Sequence, residues 1–215
     1  MLSLSIFSSS QRISVAIHEN NSLLRLEESS TINHKNEVLF TVLQRIFKKI
    51  KIRQISKIFF SSGPGSFTAI RSIKAIAQGF SVITKSEIYS INMFDIFIKQ
   101  ISLVNNPVLI FFFSGKETVF FRLFKANKRK FLPISEILFG SLERFIEYYL
   151  TICEEHKNTQ LVTNKEVNFT SLKKLKKTSI KTVEINAKTL GEACLSGFSK
   201  KDLNVYYHHT YYEKS

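Results

Sequence analysis

The eighteen residues GPGSFTAIRSIKAIAQGF, Gly63 to Phe80, contain a change of hydrophobic period around which the rest of the chain can be ordered. Just upstream, Ile55 to Phe60 is a short apolar run that reads as a buried strand. From Phe67 to about Thr84 the apolar residues recur at spacings of three and four, the pattern of a helix. Between the two, Pro64 and Gly65 suit the central positions of a type II turn, where glycine takes the positive φ at little cost, and Ser66 is placed to cap the helix. Strand, tight turn and helix make one α/β step. As a phosphate loop the turn is poor, because it has neither the lysine and second glycine of a Walker motif nor the glycine spacing of a dinucleotide fingerprint. An anion or partner contact at the helix N-terminus and a purely structural turn both remain open.

Working outward, Leu2 to Phe7, Arg12 to His18 and Ser22 to Leu26 read as a meander of three strands, with Asn20-Asn21 as one turn. Asn36 to Ile50 has helical period and leads into the strand before Gly63. After the Gly63 helix come a brief strand, Ile88 to Ser90, and a helix capped by Asn92 that runs to about Leu103. From Pro107 the order begins again. Val108 to Phe113 and Thr118 to Lys125 form a hairpin across Ser114-Gly115, a strand follows near Lys130 to Pro133, and an extra turn is expected around Ser135 to Leu138. Helix Ser141 to Glu154, strand Gln160 to Thr163, a weaker helix in Glu166 to Lys177, strand Lys181 to Ile185 and helix Lys188 to Phe198 complete it, with an extended aromatic tail from Leu203 to Tyr212. Three antiparallel strands, helix, strand, helix, strand, helix, written twice, is the order of a duplicated ribonuclease-H-like unit. The expected fold is therefore α/β, an actin-like two-lobed fold with mixed sheets, its N-terminal lobe spanning 1–104 and its C-terminal lobe 105–215.

Composition narrows the function. With 44% hydrophobic and 22% charged residues in 215, the chain is globular, and its longest apolar run, Val108 to Phe113, is far short of the roughly 18 residues a membrane span needs. Met1 to Ser10 lacks a basic n-region and a cleavage site, so it is expected to be an opening strand and the protein cytoplasmic. Cys153 and Cys194 have no His or Cys at ligand spacing and are expected to be core thiols. His18, His34, His156 and the adjacent His208-His209 form no recognisable metal pattern, so no metal site is expected. Among 17 acidic residues only Asp95 and Asp202 are aspartates. Two-metal hydrolases and magnesium phosphotransferases need clustered carboxylates at strand ends, and few places remain for them. The net charge of +14 invites an RNA reading. Lys, Ile, Phe and Asn are, however, the products of A/T-rich codons, and mutational bias is the preferred source of the lysines. The basic runs at Lys48 to Arg53, Lys125 to Lys130 and Lys173 to Lys181 lack interleaved aromatics for base stacking, so phosphate contact is the most they offer.

Helical-wheel arithmetic picks out two unusual faces. In the first helix Leu39, Leu43, Ile46 and Ile50 form a core stripe, while Phe40, Phe47 and Val38 widen the apolar arc to roughly 200°, about twice what one buried stripe needs. In the second, Thr68, Ser72, Ala75 and Gly79 form a seam of small residues, with Ile73, Ile76 and Phe80 filling another side. Small side chains let helix axes approach closely. Either both helices are sandwiched within the chain's own lobes, or they form a helix-bundle interface with a partner.

The segment from Gly63 to Phe80 resembles the signature of the TsaB (YeaZ) family, in which a GPGSFT turn opens a helix that continues with a leucine or isoleucine, an arginine and small residues; Arg71 and Gly79 fit this pattern. Ser3 to Ile17 resembles the family's first hairpin, Asn33 to Ile50 its next helix with Glu37 retained, Tyr89 to Ile91 its following strand, and Val205 to His208 loosely its terminal region. Where the family carries Asp at the end of its first strand this chain has Phe7, and the Asp-Ala-Arg of the second lobe's hairpin is replaced around Phe113-Ser114-Gly115. Catalytic actin-like relatives keep their magnesium-orienting carboxylates at such strand ends. The resemblance thus implies a non-catalytic scaffold for threonylcarbamoyladenosine modification of tRNA. Such a scaffold pairs with a TsaD-like catalytic paralogue in a complex that also engages a TsaE-like ATPase, contacts tRNA only indirectly, and homodimerises in some settings. It also implies no intrinsic cofactor, with ADP or ATP at most at a shared interface. The interface would use Phe40, Phe47, Thr68, Ser72, Ala75 and Gly79, with Gly63, Pro64, Gly65 and Ser66 as the loop at the helix N-terminus. Two rival classes are an actin-like enzyme, either a kinase or a glycoprotease-type peptidase, and a basic RNA-binding module.

Overall fold

The computed structural model describes residues 1–9, 12–30, 35–48, 50–114, 118–128, 130–164, 175 and 180–206. It divides into two compact units, Met1–Ile96 with Ile185–Ser215, and Phe97–Glu184. No helix among the described residues is long and apolar enough to cross a membrane.

In the first unit β1 (Leu2–Ser8), β2 (Arg12–Glu19) and β3 (Ser22–Ser30) form the expected antiparallel meander, and β4 (Ile55–Gly63) and β5 (Glu87–Asn92) add to it in parallel, giving the order β3-β2-β1-β4-β5. The β2–β3 turn is the Asn20-Asn21 pair, with Asn20 at φ 54, a conformation asparagine tolerates better than most residues. One face of the sheet, Leu4, Ile6, Ile13, Val15, Ile17, Ile58 and Phe60, packs against α1 (Lys35–Phe47) and α2 (Phe67–Thr84). The opposite face holds Ser3, Ser5, Phe7, Ser14, Ala16 and His18, all buried, and is covered by α5 (Ala187–Ala193). Helix α5 starts with a reciprocal cap: Thr189 N–H donates to the Asn186 side chain at 3.1 Å and Asn186 N–H to the Thr189 hydroxyl at 3.0 Å. The Ser14 hydroxyl accepts a hydrogen bond from Ala187 N–H at 2.8 Å, tying the helix to β2.

This return of the chain departs from the expected cut near residue 104. The segment after Ile185 belongs with the first unit, because Ala187, Leu190, Gly191 and Ala193 bury against β1 and β2.

The second unit repeats the order. Strands β6 (Val108–Ser114), β7 (Thr118–Asn127) and β8 (Lys130–Pro133) are antiparallel, and β10 (Gln160–Asn164) and β11 (Ile180–Val183) run parallel to β6, giving β11-β10-β6-β7-β8. Its core joins Leu109, Phe111, Phe121 and Leu161 to Phe145 and Tyr149 of α4 (Leu142–Glu155), with the Phe111 and Phe145 rings 4.5 Å apart. The segment expected to hold an extra turn is instead followed by a strand, β9 (Leu138–Ser141), which pairs with the first half of β7. Helix α3 (Met93–Gln100) is capped by Asn92, whose side-chain oxygen accepts from Phe94 N–H at 2.9 Å, and ends three residues before the expected Leu103. Apart from Leu175, which is buried in the core of the second unit, the expected helix in Glu166 to Lys177 lies outside the described residues, as do the Gly115 turn position, His34 and His208-His209. Together the two β-sheets and their helices make an actin-like α/β fold built from a repeated unit.

Candidate partner interface and the glycine loop

The loop after β4 takes a form that differs from the expected type II turn. The Gly63–Pro64 peptide is cis, and the positive φ, 98°, falls on Gly63 rather than Gly65. Gly63 is needed there on two counts: its backbone lies in the left-handed region, and a Cβ would come within 3.0 Å of Ile70 Cδ1 and 3.2 Å of the Tyr206 carbonyl oxygen. Tyr206 N–H donates to the Ser62 carbonyl at 2.8 Å, so the C-terminal segment closes over this loop. Ser66 occupies the cap position of α2, but its hydroxyl makes no capping hydrogen bond; only its carbonyl takes part, accepting from Ile70 N–H at 3.0 Å. Gly63 and Pro64 are buried, while Gly65 and Ser66 are half-buried. In the first turn of α2 the Arg71 guanidinium lies 3.9 Å from the centre of the Phe67 ring.

The buried stripe of α2 is Ala69, Ile70, Ile73 and Ala77. The seam of small residues lies about half a turn away, as 100° per residue requires. Thr68, Ala75 and Gly79 are exposed and Ser72 is half-buried. A Cβ on Gly79 would meet nothing within 4 Å. Among the described residues, then, no element of this chain packs over the seam at Gly79.

Helix α1 is more divided. Leu39, Val42, Leu43 and Ile46 form its buried stripe. Phe47, expected at an interface, is half-buried and turned onto α2, its ring edge-on to Phe80 with centroids 5.6 Å apart. That contact accounts for one flank of the wide apolar arc from within the chain. Phe40 is different, at 58% exposure. The wheel reading missed Val82, 78% exposed, and Ile83, 61% exposed, in the last turn of α2. They follow Gly79 at i+3 and i+4, and carrying the same arithmetic past Phe80 would have found them.

At the strand ends where an actin-like enzyme would need carboxylates, Phe7 is buried and Phe113 is half-buried, packed against the core of the second unit. Asp202 is engaged locally, accepting from Asn204 N–H at 2.8 Å.

Comparison with known proteins agrees with this architecture. The chain is 29% identical over 146 residues to the tRNA threonylcarbamoyladenosine biosynthesis protein TsaB of Buchnera aphidicola from Acyrthosiphon pisum, the match covering 66% of each chain. It is 31% identical over 94 residues to the TsaB of the Schizaphis graminum strain, covering 43% of this chain and 45% of that one. The chain thus spans about two thirds of the first relative and under half of the second. Among solved structures, YeaZ from Pseudomonas aeruginosa superposes with a TM-score of 0.64 at 13% identity, over 96% of this chain and 99% of that one, which speaks to the fold. The family model described as "TsaD: tRNA N6-adenosine threonylcarbamoyltransferase" matches residues 28–196, most of the chain. The chain belongs to this family, as a TsaB (YeaZ) member. In this chain the seam is carried by the helix that the GPGSFT turn opens.

Proposed function

We propose that this protein is a non-catalytic scaffold in the threonylcarbamoyladenosine modification of tRNA, working in the cytoplasm and pairing with a TsaD-like catalytic paralogue in a complex that also engages a TsaE-like ATPase. The observation that carries this reading is the exposed seam on α2: Thr68, Ala75 and Gly79 face outward with open space above Gly79, and Phe40, Val82 and Ile83 add apolar surface on the same pair of helices. An outward row of small side chains contributes little to the stability of its own helix, yet it lets the backbone of a second helix approach closely. The buried Phe7 and half-buried Phe113 are consistent with a partner supplying the acid–base chemistry and holding any nucleotide or metal. On this reading Gly63 to Ser66 set the position of α2, while contact with tRNA comes largely through the assembled complex.

The test is Ala75→Arg. Ala75 is exposed in the isolated chain and arginine is a good helix former, so the melting of the purified variant should match the parent within the range of ordinary surface substitutions, about 0.5 kcal/mol. At a closely packed interface the same side chain buries a cation without a partner, which costs several kcal/mol. Copurification with the catalytic paralogue should therefore be lost while stability is kept. A variant that still copurifies would show that the interface lies elsewhere.

A further inference from the structure

Strand β7 pairs with β6 only as far as Phe124, opposite Val108. The residue before Val108 is Pro107, which has no N–H with which to extend the ladder. Lys125, Ala126 and Asn127 pair instead with β8 alone, opposite Leu132, Phe131 and Lys130, so the hairpin continues past the start of β6 as a two-stranded ribbon. Its register sorts the side chains. Residues directly opposite share a face, which places Lys125, Asn127 and Lys130 on one side and Ala126 with Phe131 on the other. In this stretch Phe131 is buried and Ala126 half-buried, whereas Lys125, Asn127 and Lys130 are exposed, as is Lys128 in the turn at φ 54. From Thr118 to Ser135 the sequence contains Arg122, Lys125, Lys128, Arg129 and Lys130 and no carboxylate. Lys125, Lys128 and Lys130 make no ion pair with any described residue.

We propose that the outer face and tip of this β7–β8 ribbon form a phosphate-backbone contact for RNA. The inference rests on the role in tRNA modification proposed above and gives that role a surface on the second unit. A narrow ribbon with cations on one face and at its end can place several positive charges along a phosphodiester chain, and each neutralised phosphate releases counterions. The ribbon has no exposed aromatic among its described residues to stack on bases, so the contact is to backbone and indifferent to sequence. Spread-out lysine enrichment from codon bias would make this run equivalent to any other, which is the alternative to be tested.

The experiment is a salt titration of binding to a tRNA transcript at low ionic strength. It compares the parent chain with Lys125→Gln, Lys128→Gln, Lys130→Gln combined, and with a control of equal charge change, Lys48→Gln, Lys51→Gln, Arg53→Gln. All six positions are exposed, so both variants should melt like the parent. At roughly 0.7 to 0.9 per phosphate, losing three contacts should reduce the slope of log affinity against log salt by about 2, while the control changes it by less than about 1. Equal losses in both variants, or no loss in the ribbon variant, would overturn the proposal. Retained slope with lost copurification of the catalytic paralogue would also overturn it, by showing that the ribbon contacts protein instead. Copurification of the Ala75→Arg variant reads the scaffold role independently, so either idea can fail alone.

Discussion

Two glycines on helices of the first unit should respond in opposite ways to the same methyl group. At Gly191 of α5 an added Cβ would lie 2.3 Å from His18 Cε1, 2.5 Å from Ser5 Oγ and 2.7 Å from His18 Nδ1, about 1 Å inside ordinary contact for each. None of these neighbours can swing away, since His18 and Ser5 are fully buried on adjacent strands. Helix α5 must therefore lift, loosening the contacts of Ala187, Leu190 and Ala193. Overpacking of this kind costs about 1 to 3 kcal/mol, and the better helix propensity of alanine returns up to about 1. At Gly79 of α2 the methyl meets nothing, so only the propensity gain of about 0.5 to 1 kcal/mol remains. Gly191→Ala should thus be destabilised by up to about 2 kcal/mol and Gly79→Ala modestly stabilised. For a chain of this size that separates their Tm values by roughly 5 to 10 °C. Thermal melts followed by circular dichroism, with urea unfolding as a check, measure the difference. The double variant Gly191→Ala with His18→Ala should lose less than the sum of the two single changes, because the ring that is struck has been removed. If Gly191→Ala melts at or above Gly79→Ala, the close approach of α5 to the sheet is wrong.

Two further outcomes follow from the same structure. Burial, and secondarily the charge of Lys188, pushes the His18 imidazole below its ordinary value near 6.5, so the folded protein keeps it neutral. Above about pH 7 it is neutral in both states and makes no difference; as pH falls through 6.5 only the unfolded chain takes up the proton, so stability should decline on acidification until the folded-state value is reached. His18→Leu should flatten that decline between pH 7.5 and 5, and an unchanged slope in urea titrations would refute the assignment. The purified chain alone should hydrolyse ATP no faster than buffer. Magnesium-dependent turnover abolished by mutating one of its glutamates would instead place the protein among enzymes.

The glycine loop shows how much a local pattern can carry. A strand, a glycine-proline-glycine turn and a helix were all legible from Ile55 to Thr84. Which glycine holds the positive φ was not, and neither was the close approach of the Tyr206 backbone to Gly63, since Tyr206 is over a hundred residues away in sequence. Ser66 stands where a cap is expected, yet its hydroxyl plays no part. The small-residue seam was legible because helical period depends only on spacing. The contact of Phe47 with Phe80 was not legible because a wheel gives direction without distance: it shows that a ring leaves the core stripe and is silent on the second helix that meets it.

The polar face of the first strand is the deeper case. Leu2, Leu4 and Ile6 alternate with Ser3, Ser5 and Phe7, and apolar alternation with serine ordinarily marks a sheet with one face in water. Here Ser3 and Ser5 are as buried as Leu4. What covers them is α5, a helix from the far end of the chain whose buried residues are Ala187, Thr189, Leu190, Gly191 and Ala193. The missing side chain of Gly191 lets α5 settle so closely on the sheet that Ser5 and His18 fill the space a Cβ there would occupy. Small residues on a helix and small polar residues on a strand are each ambiguous when read alone. They become informative together, since a glycine on the helix opposite a serine on the strand lets the two backbones approach closely at that point. The same reasoning distinguishes the two helices. Gly191 of α5 meets Ser5 and His18 of the sheet within the chain and is buried by them, whereas Thr68, Ala75 and Gly79 are exposed and nothing among the described residues lies over Gly79, which is why α2 rather than α5 is the helix to test against a partner.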